Sequence, residues 1–229
     1  MAYIFDPIEL PAIAIEGSDL RFPVRRIFCV GRNYAEHALE MGGDPDREPP
    51  FFFTKPSDAI VKSGTEMLFP KLTKELHHEV ELVIAIGKGG ENISKERAND
   101  HVFGYAAGID LTRRDLQKMA KEKGRPWDSG KAFDQSAPCG SISPIANITN
   151  IEQAKIWLTV NGEVRQSSTI GKLIWSIDEV IAILSEAFTL ELGDLIYTGT
   201  PAGVGPIMAG DHVVGHVEGL SPIEIRLKS

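Results

Sequence analysis

Hydrophobic and polar positions along this chain repeat more often with the period of a strand than with that of a helix. Apolar runs bounded by Gly, Pro, Asn or Asp predict strands over residues 27–31, 51–54, 80–87, 102–111, 156–160, 164–166, 195–198, 212–217 and 223–227. Asn161-Gly162 separates two of these runs and predicts a tight hairpin turn of the primed type. Helical signals are fewer. Thr112 is placed to cap a helix running to Lys123, with Gly124 as its stop. Ser176-Ile177-Asp178-Glu179 has capping-box spacing ahead of an amphipathic run that reaches Phe188. Residues 34–41 read as a short helix ended by Gly42-Gly43. Strands do not alternate with helices in the βαβ manner. The fold class is therefore α+β and mostly β, a mixed-sheet domain with a few helices at its margins. The weakest boundary falls near Pro23 and separates a short leading segment, residues 1–22, from the main domain, residues 23–229.

The run His77-His78-Glu79-Val80-Glu81-Leu82-Val83-Ile84-Ala85-Ile86-Gly87 is apolar except at its start. In a strand, Val80, Leu82, Ile84 and Ile86 share one face, and Glu79, Glu81, Val83 and Ala85 the other. Both faces are apolar enough to be covered, which puts two carboxylates side by side at the edge of a core. Unpaired there, they repel each other and lose hydration at a cost of several kcal/mol. A divalent cation removes both problems, and hard oxygen ligands suit Mg²⁺, Mn²⁺ or Ca²⁺. A solvated edge strand with alternating charges explains the pattern equally well.

Composition narrows the setting. The 229 residues carry a net charge of -8, are 42% hydrophobic and 24% charged, and are ordinary for a globular protein able to bury a core unaided. The acidic balance argues against a nucleic-acid surface, and a small anionic ligand then needs a local cation. No apolar run approaches a membrane span, and the first residues lack the basic and apolar regions of a signal peptide. Cys29 and Cys139 match no zinc spacing. The expected compartment is the cytoplasm, where the sequons at Asn92 and Asn147 are chance matches.

Several further positions are candidates, each with a plainer reading beside it. Asp110 ends an apolar run ahead of the predicted helix, placed for a metal or simply for the helix dipole. Arg114 and Gln117 are three apart and share a helix face, where they can clamp a carboxylate or merely be solvated. Lys131 lies in the small-residue turn Asp128-Ser129-Gly130-Lys131, usually an exposed setting. His37 and Glu40 are also three apart, the spacing of an imidazole base oriented by a carboxylate and equally of surface decoration. The loop Gly199-Thr200-Pro201-Ala202-Gly203-Val204-Gly205 follows a strand but precedes no helix, so it is neither a Walker loop nor a dinucleotide fingerprint. Its amides can hold a carboxylate in a nest, or it is a plain tight turn.

Six segments in order resemble the signatures of the fumarylacetoacetate hydrolase family: Gly31-Arg32-Asn33-Tyr34-Ala35-Glu36-His37, Phe53-Thr54-Lys55-Pro56, His78-Glu79-Val80-Glu81-Leu82, Asp110-Leu111-Thr112-Arg113-Arg114-Asp115-Leu116-Gln117, Gly130-Lys131-Ala132-Phe133, and Thr198 to Gly205. The resemblance runs from about Arg25 to the C-terminus. The short length and the His37–Glu40 pair are similar to the family's single-domain acylpyruvase branch. The resemblance implies a mixed β-roll or β-sandwich, homodimeric, with Glu79, Glu81 and Asp110 as ligands of Mg²⁺ or Mn²⁺, Ca²⁺ being possible in crystals. It implies catalytic roles for His37, Glu40 and Lys131. Arg114, Gln117, Thr200 and Gly199 fall on the substrate side, with Lys55 a weaker match. The founding hydrolase has a further Asp ligand upstream of its His, where this chain reads Cys29-Val30-Gly31; the short branch also lacks it.

The activity so implied is hydrolysis of a carbon–carbon bond in a 2,4-dioxo acid, with fumarylpyruvate of gentisate breakdown as the expected substrate. His37 would activate water, and residues 35–49, hinged at Gly42-Gly43, would close over the site. The same metal and enolate chemistry also serves oxaloacetate decarboxylation or isomerisation of hydroxydienoates. A non-catalytic metabolite-binding protein is the remaining class, and it leaves His37, Glu40 and Lys131 without a purpose.

Overall fold

A computed structural model describes residues 3–6, 9–40 and 48–229. Two large sheets carry the fold. The larger has the strand order Phe51–Lys55, Arg26–Gly31, Asp194–Tyr197, Val80–Ile86, Val102–Ile109, Ala137–Cys139, Ile60–Lys62, with Ser143–Pro144 paired beside Val102–Ile109. The second has five strands, ordered Glu163–Thr169, Lys155–Val160, His212–Val217, Ile223–Lys228, Thr65–Leu68. Parallel pairs, such as Asp194–Tyr197 with Arg26–Gly31, stand among antiparallel ones, so the sheets are mixed. The chain thus has the mostly β architecture that its patterning predicts.

Alternation along Val80–Ile86 decides how the layers stack. Val80, Leu82, Ile84 and Ile86 enter one core with Ile156, Leu158, Val213 and Ile225 of the five-stranded sheet. Val83 and Ala85, on the opposite face, enter a second core with Ile27, Leu195 and Tyr197. A hairpin of Ala12–Ala14 and Arg21–Pro23 lies over this second core and contributes Ile13 and Phe22 to it, a pairing with no sequence signal strong enough to predict. Each fully buried Leu or Ile contributes about 1.5–3 kcal/mol, so a strand covered on both faces is held firmly in register. A solvated edge strand is therefore excluded: Val80–Ile86 is central and all of it is buried.

That strand starts where the chain changes sheets. Leu76–His78 belongs to a third, three-stranded sheet with Thr112–Arg113 and Gly205–Ile207. The neighbouring strand leaves at the same level: Val102–Ile109 ends, Asp110 N donates to Glu79 O at 2.8 Å, and Leu111 N donates to Ser136 O at 3.1 Å. The expected run of residues 102–111 is shortened by this crossing. Glu79 and Asp110 thus occupy adjacent breaks, where a side chain is not committed to either face.

Helices are short. α1 spans Ala35–Glu40; the predicted continuation through Met41 to the Gly42-Gly43 stop lies outside the described residues, as does the hinge of the predicted lid. α2 spans Arg114–Glu122 and ends before Gly124 at φ +59°. Thr112 is not its cap. It is paired with His77 in a strand, and Arg113 precedes the helix without a side-chain cap. α3 is one turn, Asp128–Lys131, in place of the expected open turn. α4 spans Ile177–Ala187 with the predicted box of Ser176 and Glu179. Asn161 and Gly162 take φ of +53° and +84°, the two positive values a primed hairpin turn requires.

Candidate active site

Strand alternation and the sheet crossing bring three carboxylates together. One oxygen each from Glu79, Glu81 and Asp110 lies within 4.8 Å of the others, and all three residues are buried. Burial of three like charges demands compensation, and the surrounding elements supply it. Lys131, the last residue of α3, places Nζ 2.8 Å from Glu79 Oε2 and 2.6 Å from Asp110 Oδ2. Arg114, the first residue of α2, donates through Nη2 to Glu79 Oε1. Lys55 ends a strand beneath the site with Nζ 2.8 Å from Asp110 Oδ1, too poorly aligned to hydrogen-bond it, and donates to the carbonyls of Leu111 and Lys131. Three carboxylates therefore face three cations.

Local sequence explains these placements. A Cβ on Gly130 would stand 2.8 Å from Gln117 N, so only glycine lets α3 lie against α2 and aim Lys131 inward. Gly199 has φ +97°, and a Cβ there would stand 2.7 Å from Asn33 Cβ. Its N–H donates to Glu81 Oε2 at 2.8 Å. Buried Asn33 fixes the entry to α1 by donating Nδ2 to Thr198 O at 2.8 Å and accepting Trp175 N at 2.7 Å.

The carboxylates titrate unlike one another. Burial, together with repulsion from Asp110 and Glu79, pushes Glu81 well above the usual carboxylate range. Glu79 is also buried, but Lys131 and Arg114 outweigh that and hold it below the usual range. Burial works against the charged form of Lys131, yet Asp110 and Glu79 raise it, so it stays an ammonium. His77 is pushed down to about 4 by burial and by Arg114, and is neutral at physiological pH.

A cavity of about 690 Å³ opens over the triad. His37, Glu40, Arg114, Gln117, Lys131 and Thr200 all reach its wall with Glu79, Glu81 and Asp110. His37 Nδ1 donates to Glu40 Oε2 at 3.3 Å, which leaves Nε2 as an acceptor. Glu40 also accepts Gly203 N at 3.2 Å, joining α1 to the glycine loop. Arg114 and Gln117 are buried and hydrogen-bonded to each other, not spread on a solvated helix face. Lys131 is buried as well.

Two expected substrate contacts lie elsewhere. Lys55 and Gly199 do not line the cavity; Lys55 stands behind Asp110, and the Gly199 amide is taken by Glu81. Lining residues that the sequence did not single out include His77, Lys118 and Lys121, the lysines recurring with Arg114 on one face of α2. Helical spacing from Arg114 was the signal available for them. Gln166, behind the wall, was also missed.

The donor set fits a hard divalent cation. Asp110 Oδ1 is buried beside Lys55 Nζ but among the described residues accepts no hydrogen bond, and Glu81 is buried against two other carboxylates. A cation ligated by these oxygens satisfies the first and relieves the second. Among the described residues no helix is long and apolar enough to cross a membrane.

Comparison with known proteins agrees with this geometry. Residues 26–228 match the family model for the fumarylacetoacetate hydrolase C-terminal region. A fumarylpyruvate hydrolase of Ralstonia is 48% identical over 182 residues, covering 80% of this chain and 94% of that protein. A crystal structure of fumarylpyruvate hydrolase from Pseudomonas aeruginosa, in complex with Mn²⁺ and pyruvate, superposes with a TM-score of 0.96 at 51% identity, covering 99% of each chain. A mitochondrial oxaloacetate tautomerase of Mus musculus is 43% identical over 204 residues, covering 89% of this chain and 92% of that protein. The chain belongs to the fumarylacetoacetate hydrolase family.

Proposed function

We propose that this protein is a metal-dependent hydrolase that cleaves a carbon–carbon bond of acylpyruvates, with fumarylpyruvate as substrate and fumarate and pyruvate as products. One observation carries the reading. A buried Glu79–Glu81–Asp110 triad and a His37–Glu40 pair open on one cavity, in a chain about half identical to fumarylpyruvate hydrolases. Glu79, Glu81 and Asp110 hold Mg²⁺ or Mn²⁺; the cation supplies charge neutralisation and polarises the oxygens of a 2-oxo acid. With the cation held, it and the positive charges of Lys55, Arg114 and Lys131 would outweigh the three carboxylates, which suits a substrate carrying two carboxylates.

The remaining chemistry falls to this chain's own side chains. His37, oriented by Glu40, takes a proton from water at Nε2, and the hydroxide attacks the distal ketone carbon. The bond between that carbon and the methylene breaks, giving fumarate and the enolate of pyruvate. Lys131 faces the enolate charge, and the proton held by His37 returns to the methylene carbon. Arg114, Gln117 and Thr200 bind substrate oxygens. Residues 23–229 form the catalytic domain, and the protein works as a cytoplasmic homodimer in aromatic breakdown through gentisate.

The test is an assay of metal-stripped protein with fumarylpyruvate and with oxaloacetate, adding back Mg²⁺ or Mn²⁺. Metal-dependent fumarate release faster than any change in oxaloacetate is the expected result. The tautomerase relative supports a second reading, enolisation of oxaloacetate with no attacking water. Preferred turnover of oxaloacetate would move the assignment there.

A further inference from the structure

Gln166 lies on the Glu163–Thr169 strand and is 1% exposed, with its whole amide buried behind the glycine loop. Its Oε1 accepts Val80 N at 3.0 Å and lies 3.0 Å from His78 Nδ1. Its Nε2 donates to Pro201 O and to Thr200 Oγ1, both at 2.8 Å. The orientation of the amide is unambiguous. A backbone N–H can only donate and a carbonyl can only accept, so Val80 fixes the oxygen end and Pro201 the nitrogen end.

One consequence reaches the cavity. Nε2 has two protons; one goes to Pro201 and the other to Thr200, so Thr200 Oγ1 is the acceptor in that bond. The hydroxyl proton of Thr200 must then point elsewhere, and among the described residues it has no acceptor. Thr200 is itself 2% exposed and lines the cavity above the carboxylate triad. We propose that Gln166 is a positioning residue: it commits the Thr200 hydroxyl to donate into the cavity, toward an anionic oxygen of a bound 2-oxo acid. This rests on the reading of the cavity as a 2-oxo acid site. The oxygen end of the same amide takes the Val80 N–H, between the two glutamates, where the chain crosses sheets and, among the described residues, Val80 is paired with a strand on one side only, at Ile109. The metal-ligand strand and the donor of the opposite wall are thereby set by one side chain.

The test is calorimetric binding of pyruvate to the Mn²⁺-loaded protein. Gln166→Glu keeps an oxygen for Val80 and replaces the Nε2 that donates to Thr200 and to Pro201 with an acceptor that takes the Thr200 proton for itself. Losing a charge-assisted hydrogen bond weakens binding by about tenfold or more. We expect that loss for Gln166→Glu and for Thr200→Val singly, with the double variant no weaker than Thr200→Val alone. Thr200→Ser, which keeps the hydroxyl, should retain pyruvate binding, and the Mn²⁺ affinity should stay within about twofold in all. If the buried glutamate prevents folding, Gln166→Met serves the same cycle at saturating Mn²⁺, its Mn²⁺ affinity being set aside because methionine also removes the acceptor of the Val80 N–H. Independent, multiplying losses overturn the proposal, as does a fall in Mn²⁺ affinity that parallels the fall for pyruvate. Wild-type protein that takes Mn²⁺ but no pyruvate overturns the 2-oxo acid reading together with it.

Discussion

The backbone N–H of Gly199 donates to Glu81 Oε2 at 2.8 Å, tying the glycine loop to a carboxyl that burial holds against ionisation. Glu81 is raised in the folded protein by burial, then by Asp110 and Glu79. For a carboxyl raised on folding, the contribution to stability is present below its unfolded value, about 4.3, and lost as pH rises toward the folded one. A bound cation reverses this by replacing the proton. Glu79 is shifted the other way and stays ionised through the neutral range. The melting-temperature gap between Mn²⁺-saturated and chelated protein should therefore widen from pH 5.5 to 8. Metal affinity should tighten by up to about tenfold per pH unit until Glu81 ionises unaided. Calorimetry in buffers of different ionisation enthalpy reads the released proton. A gap independent of pH, with no proton released, would contradict this.

His37 lines the cavity with its Nδ1 on Glu40, and among the described residues Nε2 has no partner, while the groups assigned to substrate oxygens are on other elements. His37→Ala should lower kcat for fumarylpyruvate by about 10²–10⁴ and leave KM within a few-fold. Glu40→Gln should lower it less, because Gly203 N and His37 still orient the side chain. Steady-state kinetics with Mn²⁺ check both. Full turnover in His37→Ala would remove it from water activation.

Gly199→Ala tests the loop that holds Glu81. The position has φ +97°, and the new Cβ would stand 2.7 Å from Asn33 Cβ. Gly210 is a control: its φ is +96°, yet a Cβ there meets nothing within 4 Å. Both alanines pay the backbone term, roughly 1 kcal/mol or more. Gly199→Ala should cost more in denaturant unfolding and should also weaken Mn²⁺ binding, whereas Gly210→Ala should leave metal affinity unchanged. Equal effects at the two positions would assign the whole loss to backbone strain.

Legibility in the sequence followed the range of the interactions. Glu79 and Glu81 stood out because two charges interrupt an apolar run, a contrast visible within ten residues. The strands around them were readable for the same reason, since period-two burial is a local property. His37 and Glu40 were readable through their helical spacing. Gln166 was not: its partners Val80 and Thr200 are 86 and 34 residues away, and its strand is largely exposed apart from this side chain. Lys55 falls on the substrate side by family resemblance alone; only the folded chain shows its ammonium paired with Asp110. The Thr112 cap failed where tertiary pairing with His77 overrode a sound local signal.

Lys55→Met separates a structural cation from a substrate contact. Lys55 Nζ is 2.8 Å from Asp110 Oδ1, and the two side chains are 0% and 1% exposed. Removing one member of a buried charge pair costs roughly 3–5 kcal/mol because the other is stranded. Lys131 still faces Asp110 from the other oxygen, so the low end of that range is expected for the metal-free variant. A divalent cation offsets the stranded charge, so saturating Mn²⁺ should restore more stability to Lys55→Met than to the wild type. Chemical denaturation with chelator and with Mn²⁺ measures the difference. A substrate contact would behave otherwise: KM would rise while the unfolding midpoint barely moved, in chelator and in Mn²⁺ alike. Because Lys55 is walled off from the cavity by Asp110 and the Leu111 and Lys131 carbonyls, the stability loss should dominate.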